Sequence, residues 1–238
     1  MAADLLGAVL VSAPVALLAW RLRAVTLGGA VAGFCCAVPI YLGAYLAGIA
    51  VLGTALLLTS ASSRLGGSRK AALGIAEARG GQRGPINVFA NCLVGAIGGL
   101  AAAFSTAWSG EAGAIAIVTG IAAGASDTVA SEVGKAYGGG PRAFPSFRAV
   151  PPGTPGAVSL VGTVAGIIAA ATIVVPAVVL WLLTLDRVPL IVAACTVGSL
   201  IESALATRFE AAGVLDNHTL NLLNTVCAAG VAVWWVAR

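Results

Sequence analysis

About eight apolar runs, each of bilayer-crossing length or close to it, occupy most of this 238-residue chain and leave it few ways to fold. They lie near residues 4–20, 25–40, 43–60, 86–106, 112–131, 156–184, 188–206 and 219–236. In lipid a spanning segment has to satisfy its own backbone hydrogen bonds, so runs of this kind read as helices. With 59% hydrophobic and 9% charged residues, the predicted class is an all-α, polytopic helical membrane protein. It is read as a single integral membrane domain with eight transmembrane helices, or seven if the short first run is merged or lost. The stretch 25–60 is too long for one span, and Pro39 and Gly43 mark a tight hairpin near 39–43. Pro176 is expected to kink the long run 156–184.

Charge fixes the sidedness. The connections 21–24, 61–85, 132–155 and 207–218 carry all but Arg187 and Arg238 of the 13 Lys and Arg residues. By the positive-inside rule these loops are cytoplasmic and both termini face out. Asp4 is the only charge before Arg21, so the first run reads as a span and not as a cleaved signal peptide. The expected location is a bacterial inner membrane, with the active face formed by loops 61–85, 132–155 and 207–218 on the cytoplasmic side.

The 31 glycines suit close helix contact in lipid, with small-xxx-small pairs at Gly29/Gly33, Gly95/Gly99, Gly120/Gly124 and Gly162/Gly166. The five cysteines lie in apolar segments without CxxC spacing, so they read as small hydrophobes. Basic residues interleave with Gly and Ala and not with aromatics, which gives no pattern for nucleic acid. There is no Walker motif.

A topology signal needs no carboxylates, yet Asp127, Glu132, Glu202, Glu210 and Asp216 all fall at or just inside the basic side. Ionisable groups at membrane depth are costly and mark functional sites by default. In SDTVASE, Asp127 and Glu132 stand about 140° apart on a helix. They can grip two sides of one ion or nucleotide, as Mg²⁺ ligands do, or end in salt bridges to Lys135 and Arg148. In VPPGTPGAVSLVGT, a helix beginning near Gly156 would offer unpaired amides to a phosphate, with Thr154 and Ser159 adding hydroxyls. In loop 61–85, RKAALGIAEARGG suggests a short helix ended by Gly80. Lys70, Arg79 and Arg83 there can neutralise phosphate or lie on anionic headgroups. Asn217, Asn221 and Asn224 share one helix face beside Asp216, and His218 is the only histidine.

SDTVASEVGKAYG at 126–138, VPPGTPGAVSLVGTVAG at 150–166, RKAALGIAEARGGQRG at 69–84, NVFAN at 87–91 and the ES…LDN…LN.LNT pattern across 202–225 resemble one family. It is the family of integral membrane proteins that includes the phytyl-phosphate kinases of chloroplasts and cyanobacteria, enzymes of tocopherol biosynthesis and phytol salvage. The resemblance implies Mg²⁺-dependent phosphoryl transfer from a nucleoside triphosphate, with CTP as donor, to an isoprenyl monophosphate such as phytyl or geranylgeranyl phosphate. It implies Asp127, Glu132, Lys70 and Lys135 as catalytic residues and Asp127, Glu132, Glu202 and Asp216 as Mg²⁺ ligands. Nucleotide and phosphate contacts would come from Arg79, Arg83, Asn87, Asn91, Ser126, Thr128, Ser131, Arg148, Gly153, Thr154, Gly156, Ser159, Asn217, Asn221 and Asn224. The partners implied are nucleoside triphosphate, isoprenyl monophosphate and membrane lipids, with no nucleic acid and with a homo-oligomer allowed. The rival readings are a CTP-dependent lipid-phosphate cytidylyltransferase and a transporter with intramembrane acidic sites.

Overall fold

The stretch 25–60 shows how the chain solves its length problem. In the computed structural model, which describes residues 2–108 and 110–238, it lies within α2 (Leu27–Arg64). Straight, 38 residues would run about 57 Å against a hydrocarbon core of roughly 30 Å. Tyr45 instead leaves the helical region, with φ 48° and ψ −140°. A Cβ built on Gly48 would lie 3.1 Å from the Ile40 carbonyl oxygen, eight residues earlier and about 12 Å away in a straight helix. Near the other end Arg64 donates to the Leu22 carbonyl, and Thr59 accepts from Arg83, whose own carbonyl takes the Thr26 N–H. The element is therefore a helical hairpin with limbs 27–44 and 46–64. The expected break comes a few residues late, at Tyr45, because Pro39 is accommodated within the first limb.

The other long elements are α1 (Ala2–Arg21), α4 (Pro85–Phe104), α5 (Glu111–Tyr137), α6 (Leu160–Val179), α7 (Val188–Leu205) and α8 (Asn217–Val236). Among the described residues, seven helices are long and apolar enough to cross a membrane. The folded-back α2 crosses twice, so the chain makes eight passes. That even number returns both termini to one end and leaves the basic connections at the other. At the far end Arg187 pairs with Glu111 and Asp186, and the Arg238 guanidinium stacks 3.5 Å over the Trp234 ring.

α5 is the axis of the bundle. Residues 113–126 are all buried, which is the burial expected of a helix that neighbours enclose on every side. Its Gly/Ala-rich sequence is what lets them come close. On facing α6, a Cβ at Gly162 would sit 2.6 Å from the Ala130 carbonyl oxygen, and one at Gly166 would sit 2.9 Å from the Ala130 Cβ. Lipid supplies no hydrophobic drive between helices, so this backbone approach is what holds α5 and α6 together. Gly162→Leu is expected to force the pair apart at a cost of about 1–3 kcal/mol. A lowered thermal midpoint in detergent checks it; an unchanged one denies the contact. The large side chains left outside, among them Leu6, Leu57, Ile97, Phe104, Ile168 and Trp235, belong against lipid tails.

Several boundaries differ from expectation, and the fifth span, expected to end at 131, runs on to Tyr137. The sixth span begins at Leu160, not at 156, because Gly153 and Gly156 adopt positive φ and hold the chain in turns. It ends at Val179, not at 184, where Trp181 takes positive φ. In loop 61–85 the short helix is α3 (Gly67–Ala72). It ends at Ala72, just before Gly74 takes positive φ, and not at Gly80, and a separate 3₁₀ turn follows at Ala78–Gly81. Within the otherwise helical fold, β1 (Arg142–Ala143), β2 (Arg148–Ala149) and β3 (Ala157–Val158) form a small antiparallel sheet in the order β2-β1-β3. This sheet clamps the loop after α5 over the basic end of the bundle.

Candidate active site

A cavity of about 760 Å³ opens at that basic end. α5 forms its floor with Ser126, Asp127, Thr128, Ser131, Glu132 and Lys135. The segment 77–87 closes one side, and the turn 152–159 with the start of α6 closes another. α7 and the first turns of α8 complete it through Ser199, Glu202, Ser203, Asn217, His218 and Asn221. Towards the membrane interior the walls become less polar, with Gly166, Ile167 and Leu200 standing among Thr163, Cys195 and Thr196. The cavity is therefore polar and two-signed at the surface and less polar below.

Asp127 and Glu202 meet across this space. Their carboxyl groups lie within hydrogen-bond reach of each other, and Ser199 Oγ donates to Asp127 Oδ1 at 2.5 Å. Glu202 is 7% exposed, and its Oε2 has no hydrogen-bond partner. Asn224 adjoins it, donating from Nδ2 to the Ala123 carbonyl at 3.3 Å, while its own Oδ1 is buried and unpartnered. Two close carboxylates, one with an unpartnered oxygen, repel unless a proton or a cation lies between them. A hard divalent cation would satisfy this set as well as a proton would.

Glu132 points elsewhere, as its angle from Asp127 on the helix demands. Its Oε2 accepts from Lys70 Nζ at 2.6 Å and its Oε1 from Lys135 Nζ at 2.9 Å. Lys70 is 1% exposed, and its ammonium also donates to the Ser62 and Ser63 carbonyls. An ammonium has three protons to give, and all three are used inside the protein. Lys70 lies beneath the cavity and does not line it, so its place is that of a structural cation holding α3 against α5. Lys135 does line the cavity and reaches over to Glu77 Oε1 at 3.1 Å. Burial works against the Glu77 carboxylate, but Lys135 and Arg83 outweigh it and hold its pKa below the usual range. The segment carrying Glu77 is thus tethered over the cavity by an ion pair.

Arg83 is anchored by its backbone, which pairs with Ala24 and Thr26, and by Nη2 donating to Ser63 Oγ at 3.1 Å. Burial lowers the guanidinium's pKa, and Glu77 and Glu132 draw it back up. Nη1 is buried without a partner. Arg79 stands exposed on the 3₁₀ turn at the cavity rim.

The turn 152–159 seats firmly: Gly153 packs on Ile75, and Gly156 packs on Ser203 and Thr207 of the α7 end. Thr154 Oγ1 donates to the Pro151 carbonyl at 2.8 Å. Ser159 is the N-cap of α6, with Oγ accepting from the Gly162 N–H at 3.1 Å. The segment that lines the cavity here is thus a turn followed by β3, and the helix begins at Leu160 and not near Gly156.

Five residues expected at the site line other places. Lys70 lies below it, and Arg148 is exposed on β2. Asn91 faces a smaller hollow behind the cavity, and Asn224 stands behind Glu202. Asp216 caps α8, its Oδ1 accepting from the Thr219 N–H at 2.7 Å, and that bond holds its pKa down. Ser203, beside Glu202 late in α7, faces the cavity as its place in the sequence suggests, and Ser199 is the addition the structure makes. Their spacing around Glu202 on α7, three residues before it and one after, carries the signal.

A membrane-crossing helical bundle with a polar, two-signed cavity at its loop-rich end defines an integral membrane protein whose polar groups gather at one face. The chain belongs to the family described as integral membrane protein DUF92, whose model matches residues 10–229. It is similar to a membrane protein of Synechocystis, at 37% identity over 73% of this chain and 68% of that one. It is similar to Protein VTE6, chloroplastic, of Arabidopsis thaliana, at 31% identity over 79% of this chain and 58% of that one. A membrane protein of Methanocaldococcus jannaschii is 31% identical over 62% of this chain and 60% of that one. The chain thus spans less than two thirds of the Arabidopsis and archaeal proteins. No solved structure matches it.

Proposed function

We propose that the protein transfers the terminal phosphoryl group of a nucleoside triphosphate, with CTP as the preferred donor, to an isoprenyl monophosphate. The observation that carries this is the pairing of Asp127 with Glu202 in a cavity rimmed by Arg79, Arg83 and Lys135, with less polar walls below. Resemblance of the sequence blocks to phytyl-phosphate kinases and the similarity to the chloroplastic relative support the same reading. The cavity would face the cytoplasm of a bacterial inner membrane, following the placement of the basic loops.

In this reading an oxygen of the acceptor monoester bonds to the terminal phosphorus, and the bridge oxygen leaves with the nucleoside diphosphate. A phosphate monoester is already an anionic nucleophile, so positioning and charge neutralisation carry the reaction. Asp127 and Glu202 are the residues that fit Mg²⁺, since Glu202 Oε2 is buried and unpartnered, whereas both Glu132 oxygens are taken by lysines. Among the described residues no three His, Cys, Asp or Glu side chains converge, so a cation held by Asp127 and Glu202 would need further ligands from phosphate and water. Bound Mg²⁺ supplies neutralisation of the transferring phosphates. Arg79, Arg83 and Lys135 share that work, and Asn217 and Asn221 add polar contacts on the α8 side.

The test is an assay of protein purified in detergent with phytyl or geranylgeranyl monophosphate, Mg²⁺ and each of CTP, ATP, GTP and UTP, with products identified by mass. Prenyl diphosphate plus nucleoside diphosphate is expected. A nucleotidyl lipid plus pyrophosphate would replace the kinase with a cytidylyltransferase, and no turnover with any pair overturns the proposal.

A further inference from the structure

Behind the main cavity, and sharing Arg83, Asn87 and Thr128 with it, lies a second hollow of about 100 Å³ between α1, both limbs of α2, α4 and α5. Its interior is walled by small and aliphatic side chains, among them Ala16, Ala37, Leu52, Ala55 and Val88. Its mouth is polar and short of partners. Arg83 Nη1, Asn87 Oδ1 and Asn91 Oδ1 are buried there without hydrogen bonds. Deeper in, Ser12 is 0% exposed and its hydroxyl is unpartnered. A buried guanidinium N–H left unbonded is costly, and an anionic oxygen at the mouth removes that cost. The apolar interior offers such a ligand's polar part nowhere else to go. The fitting ligand is therefore amphipathic, with an anionic head and a hydrocarbon chain.

We infer that this slot seats the head-proximal part of the acceptor lipid's isoprenoid chain, with its phosphate held at the mouth by Arg83 and Asn87. The inference rests on the phosphotransfer reading and adds where the acceptor lies. The donor nucleotide then occupies the side bounded by the turn 152–159 and α8, and the two phosphates meet above Thr128. Arg83 donates from Nη1, and the Asn87 amide turns its NH₂ to the same phosphate. The rest of the chain leaves sideways between α1 and α2, where α1 is only 17% buried within the bundle. This places the acceptor chain in the α1–α2–α4 slot and not in the cleft between α6 and α7.

Glycine makes a clean test possible. A Cβ on Gly53 meets nothing within 4 Å, and one on Gly33 comes no nearer than 3.9 Å, to Val88 Cγ1. Both glycines line the slot, so a larger side chain grows into the space without displacing backbone. Gly53→Leu and Gly33→Leu are each expected to weaken geranylgeranyl monophosphate binding at least tenfold. Native mass spectrometry of the nucleotide-free, detergent-solubilised full chain reads this, with phosphatidic acid as competitor. CTP binding and the thermal midpoint should stay as in wild type. Wild-type affinity in both variants overturns the inference, as does a loss confined to Ile167→Trp, which would seat the chain against α6. Equal displacement by phosphatidic acid overturns the choice of an isoprenoid. If wild-type protein binds no prenyl monophosphate at all, the phosphotransfer reading falls first.

Discussion

Asp127→Asn is expected to lower prenyl-phosphate turnover by at least about 10²-fold, the scale of losing one well-placed electrostatic contact to the reacting group. The substitution keeps the shape of the side chain and an oxygen to accept from Ser199. It removes the charge that, with Glu202, suits a divalent cation. Folding should be unaffected, because relieving repulsion between two close carboxylates does not cost stability. Turnover, Mg²⁺ dependence and thermal midpoint measured on the same preparation check it. Activity near wild type would remove Asp127 from the reaction. A Glu202→Gln variant with the same loss would tie the effect to the pair.

Lys70→Met should act on the opposite quantity. Lys70 looked catalytic in the sequence, but its ammonium spends its three donors on Glu132 and two carbonyls of α2. Removing it leaves Glu132, 1% exposed, with Lys135 as its remaining ion-pair partner among the described residues. Breaking a buried pair from one side costs about 3 kcal/mol or more, because the remaining charge stays buried and under-compensated. The expected result is a clear drop in thermal midpoint, with turnover per folded molecule retained. Combining Lys70→Met with Glu132→Leu should recover part of the loss, since the uncompensated charge is then gone. A stable Lys70→Met protein without turnover would return Lys70 to the chemistry.

The contrast between these two acids shows what the sequence could and could not convey. Both stood out for the same reason: a carboxylate at membrane depth is expensive and needs a partner. Helical geometry also set them on different sides of α5, about 140° apart. Which side meets Glu202 and which meets Lys70 depends on α7 and α3 docking where they do. Those contacts bridge 62 residues for Lys70–Glu132 and 72 for Asp127–Ser199. No local pattern encodes such distances. Asp216 illustrates the converse. Its neighbours Asn217, Asn221 and Asn224 drew attention to ligand chemistry, while an Asp before a helix is also an ordinary N-cap, the role it has here. The three strands were invisible because two-residue strands carry no alternation to read.

What the sequence determined by itself was the eightfold crossing, the hairpin within 27–64 and the gathering of nearly all cations at one end. These follow from lengths and charges along the chain, since a bilayer prices every residue by its own depth and polarity. Only the tertiary structure decided which of those charges face a cavity and which neutralise one another beneath it. Helix packing sets that division: α5 offers several polar faces, and the element that docks on each one decides whether the group is spent in structure or left free for a ligand.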